Sequence, residues 1–201
     1  DFIRSGVYDR RREFYATTSP SMDILVSSNL ERLLYALSDE DSACLSGWMK
    51  QLASCGHYDV GAQIHKKISD LFYGGFCEDS STAAMIHDTW KNEGYLPDTH
   101  TAVGLEVYRQ YVEDTNDSDT AAVIASTASP YKFVKDVLGA LEPVKTDDEF
   151  DNIFRLEQLT KIPVPKPLLQ LRNKPVRFTN TIETDQAAKY ILSVLNIGAD
   201  K

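Results

Sequence analysis

Hydrophobic residues recur at helical spacing over most of the chain. Ser28 and Glu31 have capping-box spacing just before an apolar stripe, so we predict that a helix begins there. Between residues 39 and 94 the helical period continues, interrupted by glycines, which predicts a mostly helical subdomain. The pattern also predicts a helix capped by Asp98 or Thr99. Two further helices are predicted at 146–162 and 185–195.

Two other segments have the pattern of strands. Residues 12–21 alternate loosely and lead to a turn at Pro20. Residues 121–125 form a short continuous apolar run, typical of a strand covered on both faces. The turn after it carries Ser126 and Thr127, and a helix start at Ser129 and Pro130 follows. Helices still dominate, so the elements predict an α/β fold that is helix-rich, has few strands and carries a helical insertion.

The end of the chain has a different pattern. Residues 162–170 contain three prolines and predict a stiff connection, and residues 176–182 predict a short extended piece. The terminal segment after them is the predicted closing helix.

Charge and composition exclude several classes of protein. The 201 residues include 30 acidic and 21 basic side chains, with no basic cluster beyond "DRRRE", so we expect no nucleic-acid partner. No apolar run approaches the roughly 18 residues that span a bilayer, so we expect no membrane partner and a cytoplasmic location. The chain opens on "DFIRSGVYDR" without a methionine, and we expect it to be a piece of a longer polypeptide.

The cysteines do not indicate a disulfide framework. There are three of them, Cys44, Cys55 and Cys77, an odd number without a recognisable spacing, so we expect reduced thiols. Cys55, His57, His65 and Cys77 together contain metal-ligand atoms, but no paired C-x-x-C motif supports a site. We therefore predict no metal.

The turn at Ser126 and Thr127 is the first candidate site. In open α/β sheets ligands bind where strands end and helices begin, and a hydroxyl can donate or accept a hydrogen bond there. The alternative is that both hydroxyls bond the backbone of their own turn. Near another helix start, His100 is expected to be a neutral capping or packing residue. Lys132 is expected to be solvated.

The second candidate is the segment "SPSMDILVSSNLER", residues 19–32, which is rich in hydroxyl, amide and charged side chains. It is either a turn followed by a capped helix or a loop that faces a substrate. No G-x-S-x-G, Walker or G-x-G-x-x-G motif occurs in the chain, so hydrolase and nucleotide-binding functions lack a motif.

Three motifs in this order resemble the carboxyl-terminal part of threonine synthase of the bacterial and fungal type: "SGVYDRRREFYATTSPSMDILVSSNLERLLY", "YLPDTHTAVGLEVY" and "ASTASPYKF". The resemblance implies a pyridoxal 5'-phosphate enzyme of fold type II, with a three-layer domain like that of the tryptophan synthase β subunit. It implies the phospho-lyase reaction that converts O-phospho-L-homoserine and water to L-threonine and phosphate. The implied segments are 1–38 in the α/β domain, 39–94 as the helical insertion, 95–145 returning to the α/β domain with the cofactor-facing turn, and 146–201 as a helical extension.

The resemblance also implies roles for particular residues. In the family a Ser or Thr hydroxyl meets the pyridine nitrogen of the cofactor; here the match falls on Thr127, with Ser126 as the alternative. The candidates for positioning substrate or holding its loop are Ser21, Asp23, Asn29 and Arg32. Arg32 is the strong phosphate-type donor among them, although Glu31 and Asp23 are possible structural partners for it.

Two parts of the family's site have no match in this sequence. They are the lysine that forms the Schiff base and the Asn/Gly-rich loop that binds the cofactor phosphate; Lys132 belongs to a different motif. We therefore predict no catalytic residue in this chain, no cofactor bound to the chain alone and no activity without the rest of its own polypeptide. The alternatives are a non-catalytic helical interaction or regulatory module, and another fold type II enzyme that acts on serine or cysteine.

Overall fold

A computed structural model of the protein describes residues 1–198. The chain divides into two compact units, Asp1–Val164 and a second that begins at Pro165. The helices are α1 (Phe2–Ser5), α2 (Leu30–Leu37), α3 (Ser42–Cys55), α4 (Gly61–Ser69), α5 (Asp79–Glu93), α6 (Thr99–Thr115), α7 (Val134–Leu141), α8 (Glu149–Thr160), α9 (Lys166–Leu169) and α10 (Ala187–Val194). The strands are β1 (Val7–Asp9) and β2 (His57–Asp59), and 3-10 turns lie at Pro20–Met22, Pro130–Phe133, Gln170–Asn173 and Thr184–Gln186.

A small antiparallel sheet joins the start of the chain to the end of α3. β1 pairs with β2, with Tyr8 opposite Tyr58, and the two rings stack with centroids 5.4 Å apart. Burial raises the pKa of the Tyr58 phenol above its ordinary value. β2 lies inside the segment that the sequence predicted to be mostly helical. A three-residue strand is too short to show a period of two, so the sequence pattern did not reveal it.

Helices α2, α3 and α4 pack around this sheet. Each carries an apolar stripe at helical spacing, and burial of these stripes stabilises the first half of unit 1. Leu34 of α2 and Ile68 of α4 are completely buried. The buried cluster consists of Leu34, Trp48, Leu52, Tyr58, Val60 and Ile68.

A second group of helices follows in unit 1. α5 packs against α6 and α7, and α7 packs against α8. Asp98 caps α6, and Ser129 and Pro130 begin the turn before α7, as predicted. The buried apolar side chains here include Ile86, Ala102, Tyr131, Val134, Val137, Leu138, Ile153 and Leu156.

The buried face of α6 is largely polar, which the apolar periodicity did not predict. Its first turn buries Thr99, His100 and Thr101, while the apolar Leu105 is only half-buried. Further along, Glu106 is buried, and Arg109 donates to both of its oxygens at 2.9 and 2.6 Å. These hydrogen bonds hold the pKa of Glu106 below its ordinary value.

Both predicted strands are wrong. Residues 12–21 and 121–125 contain no strand, and Val123 is 94% exposed. A strand needs a partner to satisfy its backbone groups, and neither segment has one within residues 1–198. The predicted capping box is also wrong, since α2 begins after Asn29 without a side-chain cap. The helix-rich, strand-poor character is confirmed, whereas the four segment boundaries stay predictions.

The second unit is built from short helices. The stretch predicted to be a stiff connection contains α9, which begins after Pro165. Residues 176–182 are irregular, and α10 forms in the predicted closing segment. Many apolar side chains of this unit, among them Val176 and Phe178, are exposed.

The structure also bears on two features that the sequence did not predict, a membrane-spanning helix and a metal site. Within residues 1–198 no helix has the length and apolar content to cross a membrane. Over the same residues, no group of three or more His, Cys, Asp or Glu side chains is placed to hold a metal ion. Cys44, Cys55 and Cys77 are free thiols.

Replacing Leu34 by Ala should lower the free energy of unfolding of the 201-residue chain by about 2–5 kcal/mol, because it opens a cavity in a completely buried position. Leu71→Ala is the matched control, since Leu71 is 66% exposed and its truncation should cost less than about 0.5 kcal/mol. Urea denaturation measures both. Equal losses would contradict the described core.

Candidate functional site

The buried carboxylate of Asp98 is the centre of the candidate site. Its side chain is 0% exposed at the amino terminus of α6. Oδ1 accepts hydrogen bonds from the backbone N–H of His100 at 2.9 Å and from His100 Nδ1 at 3.1 Å, and Oδ2 accepts from Thr101 Oγ1 at 2.5 Å. The negative charge therefore lies at the positive end of a helix with three donors around it, which offsets the cost of burying it.

The imidazole of His100 connects Asp98 to the segment around Pro20. The backbone N–H of Ser21 donates to His100 Nε2 at 3.1 Å. A backbone N–H can only donate, so Nε2 has no proton and the proton of the neutral ring lies on Nδ1, facing Asp98. His100 is only 9% exposed and its ring centroid lies 4.6 Å from that of Phe133. The expectation of a neutral packing histidine agrees with this geometry.

Thr101 connects Asp98 to Ser126 on the other side. The Oγ atoms of Thr101 and Ser126 are 3.2 Å apart, and Tyr95 OH donates to Ser126 at 2.8 Å. Thr101 Oγ1 is the donor in both of its contacts, to Asp98 Oδ2 and to Ser126 Oγ, and since a hydroxyl has one hydrogen the shorter bond to Asp98 is the stronger one. Ser126 is therefore the acceptor in both of its contacts, from Tyr95 and from Thr101.

These groups form one hydrogen-bonded unit, which we call the Asp98 cluster: Tyr95, Asp98, His100, Thr101 and Ser126, with the Ser21 backbone N–H. Asp98 accepts from His100 and Thr101, and Ser126 accepts from Tyr95 and Thr101. The three sequence motifs that carry the resemblance all contribute, since Ser21 comes from the first, His100 from the second and Ser126 from the third. Residues far apart in the sequence thus meet at one place.

The Pro20 turn, residues 17–23, is held at both ends. Thr17 donates to Asp23 through its backbone N–H at 2.7 Å and through its hydroxyl at 2.8 Å. Thr18 donates twice to Asp79 at the start of α5. Asp23 thus fixes the loop, which is one of the two roles expected of it. Ser21 is an exposed residue, and only its backbone N–H bonds to the Asp98 cluster.

Asn29 and Arg32 lie apart from the Asp98 cluster. Arg32 Nη2 donates to Asn29 Oδ1 at 2.5 Å, and both residues are exposed at the start of α2. The structural partner of Arg32 is therefore Asn29 rather than Glu31 or Asp23. The remaining donors of its guanidinium face no partner among residues 1–198.

Thr127 is exposed and has no hydrogen-bond partner within the described part of the chain. Ser126 bonds to Tyr95 and Thr101 rather than to the backbone of its turn, so the alternative of a purely self-capped turn does not hold for it. Of the two predicted cofactor-facing hydroxyls, one is fixed and the other is available. Lys132 is exposed, with Nζ 5.3 Å from the Phe133 ring centroid.

A cavity of about 1160 Å³ lies beside the Pro20 turn. Ser19, Met22 and Asp23 line it, whereas Ser126 and Thr127 do not. The Cys77 thiol also lines it, and burial raises its pKa, so this thiol is not activated as a nucleophile. The cavity therefore lies beside the predicted substrate loop. It does not reach the turn at Ser126 and Thr127, which we call the hydroxyl turn.

Sequence reasoning did not identify Tyr95, Asp98 and Thr101 as parts of the site. Asp98 was predicted only as a helix cap, and the other two were not singled out. One signal was present: "DTHT" places four hydrogen-bonding side chains in succession at a helix start, more than a cap requires. Its partners could not be inferred, because they lie in distant segments.

Comparisons with known proteins found similarity to threonine synthases. The family model described as threonine synthase, C-terminal, matches residues 101–191. Threonine synthase-like 1 of Macaca fascicularis is 34% identical over 143 residues, which are 71% of this chain and 19% of that protein. The crystal structure of PLP-bound threonine synthase from Brucella melitensis is 34% identical, with a TM-score of 0.62, over 70% of this chain and 29% of that one.

The crystal structure of threonine synthase from yeast is similar over 97% of the chain, with a TM-score of 0.76 and 26% identity. The chain is related to the carboxyl-terminal part of threonine synthase. It spans 39% of the yeast chain and about a fifth of the macaque relative. Thr101, Ser126 and Thr127 lie within the part matched by the threonine synthase model, and the Pro20 turn lies before it.

Thr101→Val should lower the free energy of unfolding by about 1–3 kcal/mol, because it removes a buried donor to Asp98 without changing the side-chain shape much. Thr101→Ser keeps the hydroxyl and should retain most of that stability. Urea denaturation of the two variants measures the difference. If valine and serine cost the same, the hydroxyl does not carry the interaction.

Proposed function

We propose that the chain is the carboxyl-terminal part of a threonine synthase, a phospho-lyase of threonine biosynthesis that converts O-phospho-L-homoserine and water to L-threonine and phosphate. The observation that carries the proposal is the meeting of all three family motifs in the Asp98 cluster. The family match and the two similar structures support it.

In this proposal the chain belongs to a fold type II enzyme with a three-layer α/β domain, and residues 39–94 are its helical insertion. The exposed apolar side chains of Phe14, Tyr15, Ile24 and Val123 support an association with the rest of the polypeptide. The rest of its own chain is therefore the proposed macromolecular partner.

The hydroxyl turn is proposed to face the pyridine ring of pyridoxal 5'-phosphate. When bound, the cofactor supplies an electron sink for carbanion chemistry. The oxygen of Ser126 accepts from Tyr95 and Thr101 within the Asp98 cluster, whereas no hydrogen bond among residues 1–198 engages the hydroxyl of Thr127. This supports Thr127 as the residue that donates to the pyridine nitrogen, with Ser126 as its anchored neighbour. A neutral hydroxyl leaves that nitrogen less strongly protonated than a carboxylate would.

The Pro20 turn and the start of α2 are the proposed substrate side. Ser21 presents its hydroxyl from a fixed backbone, and Asp23 holds the turn through Thr17. Arg32 has guanidinium donors beyond the one given to Asn29, and a phosphate group takes such donors in pairs. We therefore assign Arg32 and Asn29 to the substrate phosphate, and Ser21 to the amino-acid end.

The chain by itself is proposed to be inactive. No lysine belongs to the Asp98 cluster, and the family's Schiff-base lysine and phosphate loop have no matching position in this sequence. The exposed apolar surface also supports the alternative, a non-catalytic interaction module. The presence or absence of a Schiff-base lysine and a glycine-rich loop in the polypeptide upstream of Asp1 separates the two.

The direct test is an assay of the whole protein that carries this chain. With pyridoxal phosphate and O-phospho-L-homoserine it should release phosphate and form threonine in equal amounts. The 201-residue chain is the matched control, and it should release none and show no specific Schiff-base absorbance. Turnover of serine in place of O-phospho-L-homoserine would establish a different fold type II enzyme and reject the assignment.

Thr127→Ala in the whole protein should leave cofactor uptake intact and lower turnover about 2- to 10-fold, because one hydrogen bond to the ring is lost. Ser126→Ala should lower turnover less and should instead reduce stability, because Tyr95 and Thr101 lose their common partner. Steady-state phosphate release and the cofactor absorbance measure these effects. Unchanged turnover in the Thr127 variant would remove it as the pyridine partner.

A further inference from the structure

We infer that His100 is a positioning residue that sets the Pro20 turn against the hydroxyl turn, and so fixes where substrate meets cofactor. The inference rests on the proposed function for its effect on turnover, and on the structure alone for its geometry. His100 acts through the Ser21 backbone and touches neither proposed ligand.

The contacts of His100 join three separate elements. Nε2 accepts from the Pro20 turn, Nδ1 faces Asp98 in its own helix, and the ring packs on Phe133 beyond the hydroxyl turn. Among the hydrogen bonds found within residues 1–198, only the one to Ser21 links the Pro20 turn to α6. The other hydrogen bonds of the Pro20 turn lie within the turn or join it to Asp79 of α5.

The orientation of the ring is fixed by its partners. The Asp98 carboxylate requires a donor, and the Ser21 N–H requires an acceptor, so one neutral tautomer satisfies both. Rotating the ring by 180° would place carbon atoms where both partners need nitrogen. A buried ring with a single satisfied orientation gives the turn a defined position rather than a range of positions.

The same carboxylate extends the constraint to the hydroxyl turn. Asp98 Oδ1 holds His100, and Oδ2 holds Thr101, which in turn contacts Ser126. A path of hydrogen bonds therefore runs from Ser21, beside the proposed substrate, to Ser126, beside Thr127. A shift of His100 changes the distance between the two turns, although it leaves each turn intact.

Two amide substitutions separate the two ring nitrogens. His100→Gln places an amide oxygen near the position of Nε2, where it can accept from Ser21. His100→Asn places an amide nitrogen near Nδ1, where it can donate to Asp98 but cannot reach Ser21. The two variants thus remove opposite halves of the connection with similar loss of ring packing.

The first measurement is amide hydrogen exchange of the Pro20 turn in the whole protein without substrate. His100→Asn should speed exchange of the Ser21 amide about 5- to 10-fold, because its acceptor is lost, and His100→Gln should restore most of the protection. Equal exchange in the two variants would overturn the inference. This readout does not depend on any activity, so it separates failure of the inference from failure of the proposed function.

The second measurement is the kinetic difference between the same variants. His100→Asn should raise KM for O-phospho-L-homoserine about 5- to 10-fold with the cofactor absorbance unchanged, and His100→Gln should stay within about 3-fold of the parent. Equal KM values, or a loss of cofactor from the asparagine variant alone, would overturn it.

A third measurement covers the case in which both variants fail to fold. Nitrogen NMR of the His100 imidazole in the unaltered protein at neutral pH should show the proton on Nδ1 and none on Nε2. A proton on Nε2 would make the Ser21 hydrogen bond impossible and overturn the inference without any substitution.

Discussion

The burial of one carboxylate constrains the whole site. Asp98 is completely enclosed, and a buried charge is tolerated only with hydrogen-bond donors on its oxygens. The start of α6 supplies a backbone N–H and an imidazole from His100 and a hydroxyl from Thr101. Because the imidazole and the hydroxyl each have a second partner in another segment, the requirement of Asp98 determines where the Pro20 turn and the hydroxyl turn lie.

Helices with regular apolar spacing and two of the helix starts could be predicted from the sequence, whereas strand pairing could not. α3, α8 and α10 lie where the periodicity indicated, since burial of an apolar stripe is a local property of the sequence. Residues 121–125 also carry a local signal, a short apolar run typical of a strand. Strand pairing, however, depends on a partner elsewhere, and Val123 is exposed. The three-residue strand β2 carries too few positions to show any period.

The candidate site shows the same division between local and distant causes. The resemblance selected Ser126, Thr127 and the Pro20 turn from their motifs. It did not select Tyr95 or Thr101, because their roles come from side chains that approach from other segments. Even the choice of ring nitrogen that carries the proton in His100 is set by Ser21, which lies 79 residues earlier in the sequence.

The direction of the hydrogen bonds has a consequence for proton movement. Ser126 accepts from Tyr95 and from Thr101, and Asp98 accepts from Thr101 and from His100, so the direction of donation reverses at both residues and no one-way path crosses the cluster. A proton passed on from Tyr95 would stop at Ser126, and the Ser21 amide at the far end can neither accept nor release one. The cluster therefore insulates the two turns from proton exchange with each other.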